Sequence, residues 1–235
     1  MKPEKTVGSL YIVATPIGNP EDITLRAIHI LKHADAIICE EFKEGSKLLH
    51  SLDIQNNLVT LNEHNEAEVT DQIISDLALG KTFALVSDCG TPNFADPGKK
   101  LINELIGTGI KVIPIPGTSS LMTALSVCAF RMDQFRFVGF LPPKQELRKS
   151  ILQSLKRESV PLILMDTPYR LGRLLVELSE IFGKEQTIFL GCDLTMPSEL
   201  ILHGSLDMIS KRIGSQKKEF ILIVDNPSKN KRKFD

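Results

Sequence analysis

The strongest constraint on the fold is the alternation of short apolar segments with segments of helical periodicity. In the first half of the chain the strand candidates are Leu10–Ala14, Ala36–Cys39, Leu58–Leu61, Phe83–Val86 and Lys111–Ile115. Phe83–Val86 is apolar without interruption, which is typical of a strand with helices on both faces of its sheet. Helices are predicted at about 66–79 and 97–107. Strands that alternate with helices predict a parallel sheet.

The second half repeats this pattern after a stretch rich in proline and glycine, "IPIPGTSS" (113–120). An apolar helix candidate follows directly, and further helices are predicted near 145–157 and 169–182. The strand candidates are Phe135–Val138, Leu162–Met165, Thr187–Leu190 and Phe220–Val224. We therefore predict two α/β domains, 1–115 and 116–235, in which the polar and basic segment 226–235 is a flexible tail.

Composition excludes several classes of protein. Hydrophobic residues make up 42% and charged residues 24% of the 235 residues, as in soluble globular proteins. The formal net charge of −1 gives no overall attraction to nucleic acid or to an anionic membrane. No apolar run approaches a membrane span, and the first residues do not resemble a signal peptide, so we expect a cytoplasmic protein without a membrane partner. The four cysteines are scattered, and we expect neither a disulfide nor a metal site.

The loop after the fourth strand candidate indicates a ligand site. Residues 83–98 read "FALVSDCGTPNFADPG" and contain no Lys or Arg. Ligands of open α/β sheets bind at the carboxyl ends of the strands, where Asp88 lies. Gly90 frees the backbone and Pro92 stiffens it, which predicts a cradle of carboxylate and carbonyl oxygens. Such a cradle favours a cation, or a ligand rich in hydroxyl and amino groups. Alternatively, Asp88 is a turn residue and Asp96-Pro97 starts a helix, and both interpretations can hold together.

The first strand candidate ends in a second turn, "TPIGN" (15–19). Asn19 is predicted to cap a helix that starts at Pro20, and Gly18 could adopt positive φ and bring the backbone close to a ligand. A purely structural turn explains the segment equally well. The dinucleotide and phosphate-loop glycine motifs are both absent, which argues against an ordinary dehydrogenase or nucleotide hydrolase.

Seven motifs occur here in the order and spacing of one family. They are "LYIVATPIGNPEDITLRAIHIL", "LNEHNE", "LVSDCGTPNFADPG", "IPIPGTSSLMTALS", "FVGFLPPK", "LTMPSELILHG" and "KKEFILIV". The chain thereby resembles the tetrapyrrole methylase superfamily, and within it the small-subunit ribosomal RNA cytidine 2′-O-ribose methyltransferases. The resemblance implies S-adenosylmethionine as methyl donor and no metal. It also implies a cleft between two α/β domains, the second with a mixed sheet, and a homodimer.

The resemblance also implies which residues bind the methyl donor. Carried over motif by motif, they are Pro16, Gly18, Asp88, Gly90, Thr91, Ser119, Ser120, Met165 and Thr195. The donor carries a sulfonium cation, an amino group and ribose hydroxyls, so a loop without lysine or arginine suits it chemically.

A ribose hydroxyl is a poor nucleophile near neutral pH, so a nearby base would assist as its proton leaves. The candidates are Glu40, Glu63 and His64, at or just beyond predicted strand ends, with Glu41 beside them. For Glu63 and His64, the ordinary polarity of a surface loop is an equally good explanation.

Two segments depart from the family pattern. Where the ribosomal RNA enzymes typically read "EDTRxTxxLL", this chain reads "EEFKEGSKLL" (40–49), and their aromatic-Glu-Ser segment is replaced by "MDTPYR" (165–170). Both departures fall at expected acceptor contacts. Candidate phosphate contacts are Lys144, Arg148, Lys149, Lys156 and Arg157, for which a solvated helix face is the alternative. Lys217 and Lys218 carry the same pair of interpretations.

The predicted function is S-adenosylmethionine-dependent 2′-O-methylation of a cytidine ribose in small-subunit ribosomal RNA. Two alternatives remain open. One is a small-molecule methylase of the tetrapyrrole type, and the other is a donor-binding regulatory module without turnover.

Overall fold

The computed structural model of the chain describes residues 7–93 and 98–226. The chain divides into two compact units, 1–119 and 120–235. The predicted helix start at Asp96-Pro97 lies outside the described residues, as does the predicted flexible tail apart from Asn226. In the part of the chain that the structure describes, no helix has the length and apolar character needed to cross a bilayer.

Unit 1 is a five-stranded parallel sheet with helices on both faces. Its strands are β1 (Ser9–Val13), β2 (Ala36–Cys39), β3 (Leu58–Thr60), β4 (Phe83–Val86) and β5 (Lys111–Ile115). Its helices are α1 (Leu25–His33), α2 (Phe42–Ser51), α3 (Glu66–Ala78) and α4 (Lys99–Leu105). The strand order is β3-β2-β4-β1-β5, and every pairing is parallel. The prediction of a parallel sheet is confirmed.

The uninterrupted apolar run of β4 is explained by packing on both of its faces. Phe83 and Leu85 belong to a core formed with helices α3 and α4. Ala84 and Val86 belong to a second core, formed with α1 and α2. A strand covered on both sides has no position for a polar residue, so the polar sequence resumes only where the strand ends.

The sheet order places a switch point between β2 and β4. After β2 the chain runs outward to β3, whereas after β4 it runs in the opposite direction, past β1, to β5. Loops that leave neighbouring strands in opposite directions open a crevice at the carboxyl edge of an α/β sheet. The residues after β2 and β4, Glu40 and Asp88 among them, border this point.

Unit 2 contains a mixed sheet of five strands. Its strands are β6 (Arg136–Phe140), β7 (Leu162–Asp166), β8 (Thr187–Cys192), β9 (Leu200–Ser205) and β10 (Phe220–Val224). Its helices are α5 (Ser120–Val127), α6 (Gln145–Leu155), α7 (Leu171–Phe182) and α8 (Leu206–Ile213). The order is β6-β7-β10-β8-β9, in which only β6 and β7 are parallel. The prediction of a mixed sheet is confirmed.

The register of unit 2 gathers several loops at one edge. Phe220, the first residue of β10, is paired with both Asp166 and Cys192, the last residues of β7 and β8. Because β6 runs parallel to β7, its carboxyl end lies at this edge too. The loops after β6, β7 and β8 therefore border the residues that precede β10.

Helix starts were partly predicted. Asn19 does act as a cap, since its side-chain oxygen accepts a hydrogen bond from the Glu21 N–H at 3.1 Å. It caps only the 3₁₀ turn Pro20–Asp22, and Thr24 caps α1 itself. Helices α2 and α8 and strand β9 were not predicted.

Candidate functional site

The carboxyl edge of unit 1 brings most of the predicted site residues together. All five strands are parallel, so their following loops share one edge. Along the strand order these loops carry, in turn, Glu63 and His64, then Glu40, then Asp88 with Gly90 and Thr91, then Pro16 with Gly18, and finally Ser119. The predicted donor-binding residues follow β4, β1 and β5, whereas the predicted bases follow β2 and β3.

A short two-stranded bridge joins the loops after β1 and β4. The Thr15 N–H donates to the Gly90 carbonyl at 2.8 Å, and the Gly90 N–H donates to the Thr15 carbonyl at 3.1 Å. Gly90 has φ of +78°, and a Cβ there would lie 3.2 Å from Cγ2 of Ile17. Glycine is therefore favoured by the backbone conformation, and an added side chain would press on Ile17. The bridge fixes the two loops relative to each other.

Thr118 extends the bridge to the loop after β5. Its hydroxyl donates to the Thr15 carbonyl, and its own carbonyl accepts from the Thr91 hydroxyl at 2.9 Å. The Thr91 hydroxyl hydrogen is thus occupied within the protein, and its oxygen lone pairs remain as acceptors. Sequence reasoning missed Thr15 and Thr118, although each stands in a motif that it had singled out, "TPIGN" and "PGTSS".

Asp88 connects the loop after β4 to the start of α2. Its exposed carboxylate accepts a hydrogen bond from the backbone N–H of Glu41, at the amino end of α2. Partial burial, together with the nearby carboxylates of Glu44 and Glu41, raises the pKa of Asp88 despite that hydrogen bond. Among the described residues no cation pairs with it. Asp88 therefore links the loop after β4 to α2, and its role in binding a ligand stays a prediction.

The loop after β2 is neutral at its base and acidic beyond. Burial, assisted by Asp88 and Glu41, raises the pKa of the Cys39 thiol to about 11, so it is protonated near neutral pH and is no nucleophile. Gly45 of α2 packs on this cysteine, since a Cβ there would lie 2.8 Å from its Sγ. Glu40 is half-buried between these groups.

Glu63 and His64 are both exposed in the loop after β3. Two asparagines fix the shape of this loop. The Asn65 side chain accepts from the Asn62 N–H at 2.8 Å and donates to the Thr60 carbonyl at 2.9 Å, while Asn62 accepts from the His64 N–H at 3.1 Å. The geometry holds the loop at the sheet edge and leaves both side chains at the surface.

The turn after β1 is built differently from the expectation. Pro16 is half-buried and Gly18 is exposed, but Gly18 does not adopt positive φ. The predicted backbone approach through that conformation is therefore wrong. The constrained glycine of this edge is Gly90.

In unit 2, Met165 and Thr195 lie at the edge shared by the ends of β7 and β8. Thr195 has φ of +69°, and its N–H donates to Oε2 of Glu199 at 2.7 Å. The preceding Asp193 accepts from Lys218 Nζ at 2.5 Å and from the Glu219 N–H at 3.1 Å. The carboxylates of Asp193 and Glu199 therefore hold the loop after β8 in place, and Lys218 forms an ion pair with Asp193. Ser120 is the first residue of α5.

Both interpretations of Arg148, as a phosphate contact and as part of a solvated helix face, are wrong. Arg148 is 2% exposed, and its Nε and Nη2 donate to the two carboxylate oxygens of Glu177, each at 2.6 Å. Its Nη1 donates to the carbonyls of Pro142 and Pro143 at 3.0 and 2.8 Å. Arg148 holds the loop after β6 from within. Lys149 is paired with Glu180 at 2.6 Å, and Lys156 donates to the Ile181 carbonyl, whereas Lys144 and Arg157 are exposed.

The similarity to known proteins extends over nearly the whole chain. The family model of the tetrapyrrole (corrin/porphyrin) methylases matches residues 9–210. Ribosomal RNA small subunit methyltransferase I of Neisseria meningitidis serogroup B is 38% identical over 228 residues, which are 96% of this chain and 78% of the relative. The protein of the same name from Halalkalibacterium halodurans is 41% identical over 220 residues, 93% of this chain and 76% of the relative.

The fold has solved counterparts. The crystal structure of uroporphyrin-III C-methyltransferase from Thermus thermophilus complexed with S-adenosylhomocysteine has a TM-score of 0.64 at 17% identity, covering 93% of this chain and 97% of that one. This likeness concerns the fold, and the sequence relatives carry the assignment. The chain therefore belongs to the tetrapyrrole methylase family, among the relatives of ribosomal RNA small subunit methyltransferase I, and is an S-adenosylmethionine-dependent methyltransferase.

Proposed function

We propose that the chain transfers a methyl group from S-adenosylmethionine to the 2′-hydroxyl of a cytidine ribose in small-subunit ribosomal RNA. The observation that carries this proposal is the loop Ser87–Asn93, which has no lysine or arginine, presents the Asp88 carboxylate, and is tied to the neighbouring loops at Thr15 and Thr118. The printed names of the relatives supply the acceptor.

The residues of this edge fit the methyl donor chemically. The Asp88 carboxylate and the Thr91 oxygen accept hydrogen bonds, which suits amino and ribose hydroxyl donors. The bridge between Thr15 and Gly90 fixes the acceptors before the donor arrives, and pre-organised groups lose less entropy on binding. The other proposed contacts are Pro16, Gly18, Ser119, Ser120, Met165 and Thr195. Bound S-adenosylmethionine supplies a methyl group already activated by its sulfonium.

The chain's own contribution to chemistry is alignment and proton removal. Alignment of the ribose oxygen with the methyl group supplies much of the rate in such a transfer. Glu40 follows β2, the immediate neighbour of β4, whereas Glu63 and His64 follow the strand beyond it. With strands about 4.8 Å apart, they start roughly 10 Å from the donor loop. We therefore propose Glu40 as the group that acts beside the donor, and Glu63 and His64 as groups that act on a larger acceptor extending outward.

The proposal is tested with labelled S-adenosylmethionine and small ribosomal subunits from a strain that lacks the gene. We expect label in one cytidine of the small-subunit RNA, located by mass spectrometry as a 2′-O-methyl group. Label on a base, or on a tetrapyrrole and not on RNA, would contradict the acceptor. Donor binding without transfer to any acceptor would contradict turnover. Action on ribosomal RNA would place the enzyme in the cytoplasm. The predicted homodimer is checked separately by light scattering.

A further inference from the structure

We propose that Tyr169 and Lys217 form a stacking platform for an unpaired base of the RNA acceptor. This inference rests on the proposed function and names one contact for its RNA acceptor. Tyr169 lies in the 3₁₀ turn Pro168–Arg170, directly after β7, and is 77% exposed. Lys217 is exposed just before β10, and its Nζ lies 4.7 Å from the centre of the Tyr169 ring.

The register of the sheet brings together the two segments that carry this pair. Asp166 and Phe220 are paired, so the residues after β7 meet the residues before β10. Arg170 anchors the turn from below, because its Nη1 donates to Oδ1 of Asp166 at 3.1 Å and to the Leu141 carbonyl at 3.4 Å. A ring carried on an anchored turn loses little further freedom when it binds a partner.

The chemistry of the pair matches single-stranded RNA. Proteins bind unpaired bases by stacking them on exposed aromatic rings beside cations that attract the phosphates. Lys217 contacts one side of the ring, and the large exposed fraction leaves the remainder open to a base. Among the described residues no carboxylate pairs with Lys217, so its charge is available to a phosphate. Lys144, exposed after β6, lies at the same edge and adds a second cation.

Tyr169 lies in "MDTPYR" (165–170), where the chain departs from the family pattern, whereas Lys217 begins the matching motif "KKEFILIV" (217–224). A single exposed aromatic residue is common on protein surfaces and by itself indicates nothing. The combination of an exposed ring, an uncommitted cation against it, and an edge shared with Met165 is what favours an acceptor contact.

The chain contains no tryptophan, so Tyr169→Trp creates a single fluorescent reporter at the platform. Titration with oligocytidylate should quench this fluorescence. Leu79→Trp is the control, since Leu79 is 72% exposed at the end of α3, at the amino edge of the unit 1 sheet. Its fluorescence should be unchanged by the same titration. Equal behaviour of the two reporters would overturn the proposal.

Binding to small-subunit ribosomal RNA gives the second measurement. Tyr169→Ala should weaken binding about tenfold, while Tyr169→Phe should retain it, because stacking needs the ring and not the hydroxyl. Lys217→Ala should reduce the slope of log affinity against log salt concentration by about one. Donor affinity in calorimetry should not change. If these variants bind RNA like the unmodified enzyme while it still methylates its subunit, only the platform is wrong. If the unmodified enzyme neither binds nor methylates RNA, the proposed function fails as well.

Discussion

Removal of the Glu177 charge should destabilise unit 2 strongly, because it leaves the buried Arg148 guanidinium without its charged partner. Arg148 and Glu177 are each 2% exposed and share two hydrogen bonds of 2.6 Å. Breaking such a buried pair from one side costs about 3–5 kcal/mol of unfolding free energy. We expect Glu177→Gln to lose about 3 kcal/mol, the lower end, because the amide still fills the space and accepts one hydrogen bond.

The assay is equilibrium urea unfolding followed by circular dichroism, with hydrogen exchange of β6, β7 and β10 to locate the loss. Glu180→Gln is the matched control on the same helix. Its carboxylate is paired with Lys149, but the two side chains are 53% and 33% exposed, so the change should cost less than about 1 kcal/mol. Equal losses for the two variants would refute the argument from burial.

Two further measurements separate the pair from a general packing defect. The double variant Arg148→Met/Glu177→Leu should lose about 2–3 kcal/mol less unfolding free energy than the sum of the losses in Arg148→Met and Glu177→Leu. Additive losses would contradict the coupling. The hydrogen bond from Arg148 lowers the pKa of Glu177 below its ordinary value of 4.5. The ionised Glu177 carboxylate therefore contributes fully to stability above pH 4.5, and this contribution disappears as the pH falls through the lowered pKa. The stability difference between the unmodified protein and Glu177→Gln should narrow over that range.

Three other predictions concern unit 1. Gly90→Ala should lower the free energy of unfolding by about 1–2 kcal/mol, because it puts a side chain at positive φ, and it should also weaken donor binding. Gly109→Ala is the control, since it has φ of +83° and no atom within 4 Å of the added Cβ, and it should bind the donor normally in calorimetry. Similar donor affinities of the two variants would contradict the role of the bridge. Asp88→Asn should weaken donor binding by about 1–3 kcal/mol while Asp71→Asn, on the exposed side of α3, leaves it unchanged, and an unaffected Asp88 variant would remove that contact. On acidification, donor affinity should begin to fall at a higher pH than for an ordinary aspartate, because the pKa of Asp88 is raised. Asp88→Asn should lack this pH dependence. The same pH profile in Asp88→Asn and the unmodified protein would argue against a charged contact.

The central strands were readable from the sequence because they are buried. β2, β4 and β10 have the predicted bounds, and every residue in them is buried. β5 also has the predicted bounds, although Lys111 and Pro114 are exposed in it. Strand β9 was missed because "LILHGS" contains only half-buried and exposed residues, so it lacks a clear buried face. Its pairing with β8 is what defines it as a strand. Helix α8 carried a readable signal, the spacing of Leu206, Ile209 and Ile213, all of which are buried.

The error at Arg148 also had a signal in the sequence. Arg148, Leu152 and Leu155 follow the i, i+4, i+7 spacing of one helix face, and all three are buried. Both interpretations offered for Arg148 put this buried arginine on the outer side of the helix, whereas the neighbouring Leu147 is the residue that is 52% exposed. The sequence does not indicate that Arg148 pairs with Glu177, because Glu177 lies 29 positions away on another helix.

The connections that shape the candidate site depend on contacts between distant segments. The Thr15 hydroxyl and the Gly90 carbonyl are separated by 75 positions, and Thr118 and Thr15 by 103. The motifs identified the loops, and strand order alone brought them side by side. The path from Asp88 to α2 was unpredictable for a further reason, since α2 itself was not expected in the segment that departs from the family pattern.

The most direct test of the central claim is a crystal structure with S-adenosylhomocysteine bound. We expect the ligand at the carboxyl edge of the unit 1 sheet, with the Asp88 carboxylate and the loop Ser87–Asn93 in hydrogen-bonding contact. A ligand bound at the amino edge, or one that leaves this loop without a contact, would contradict it.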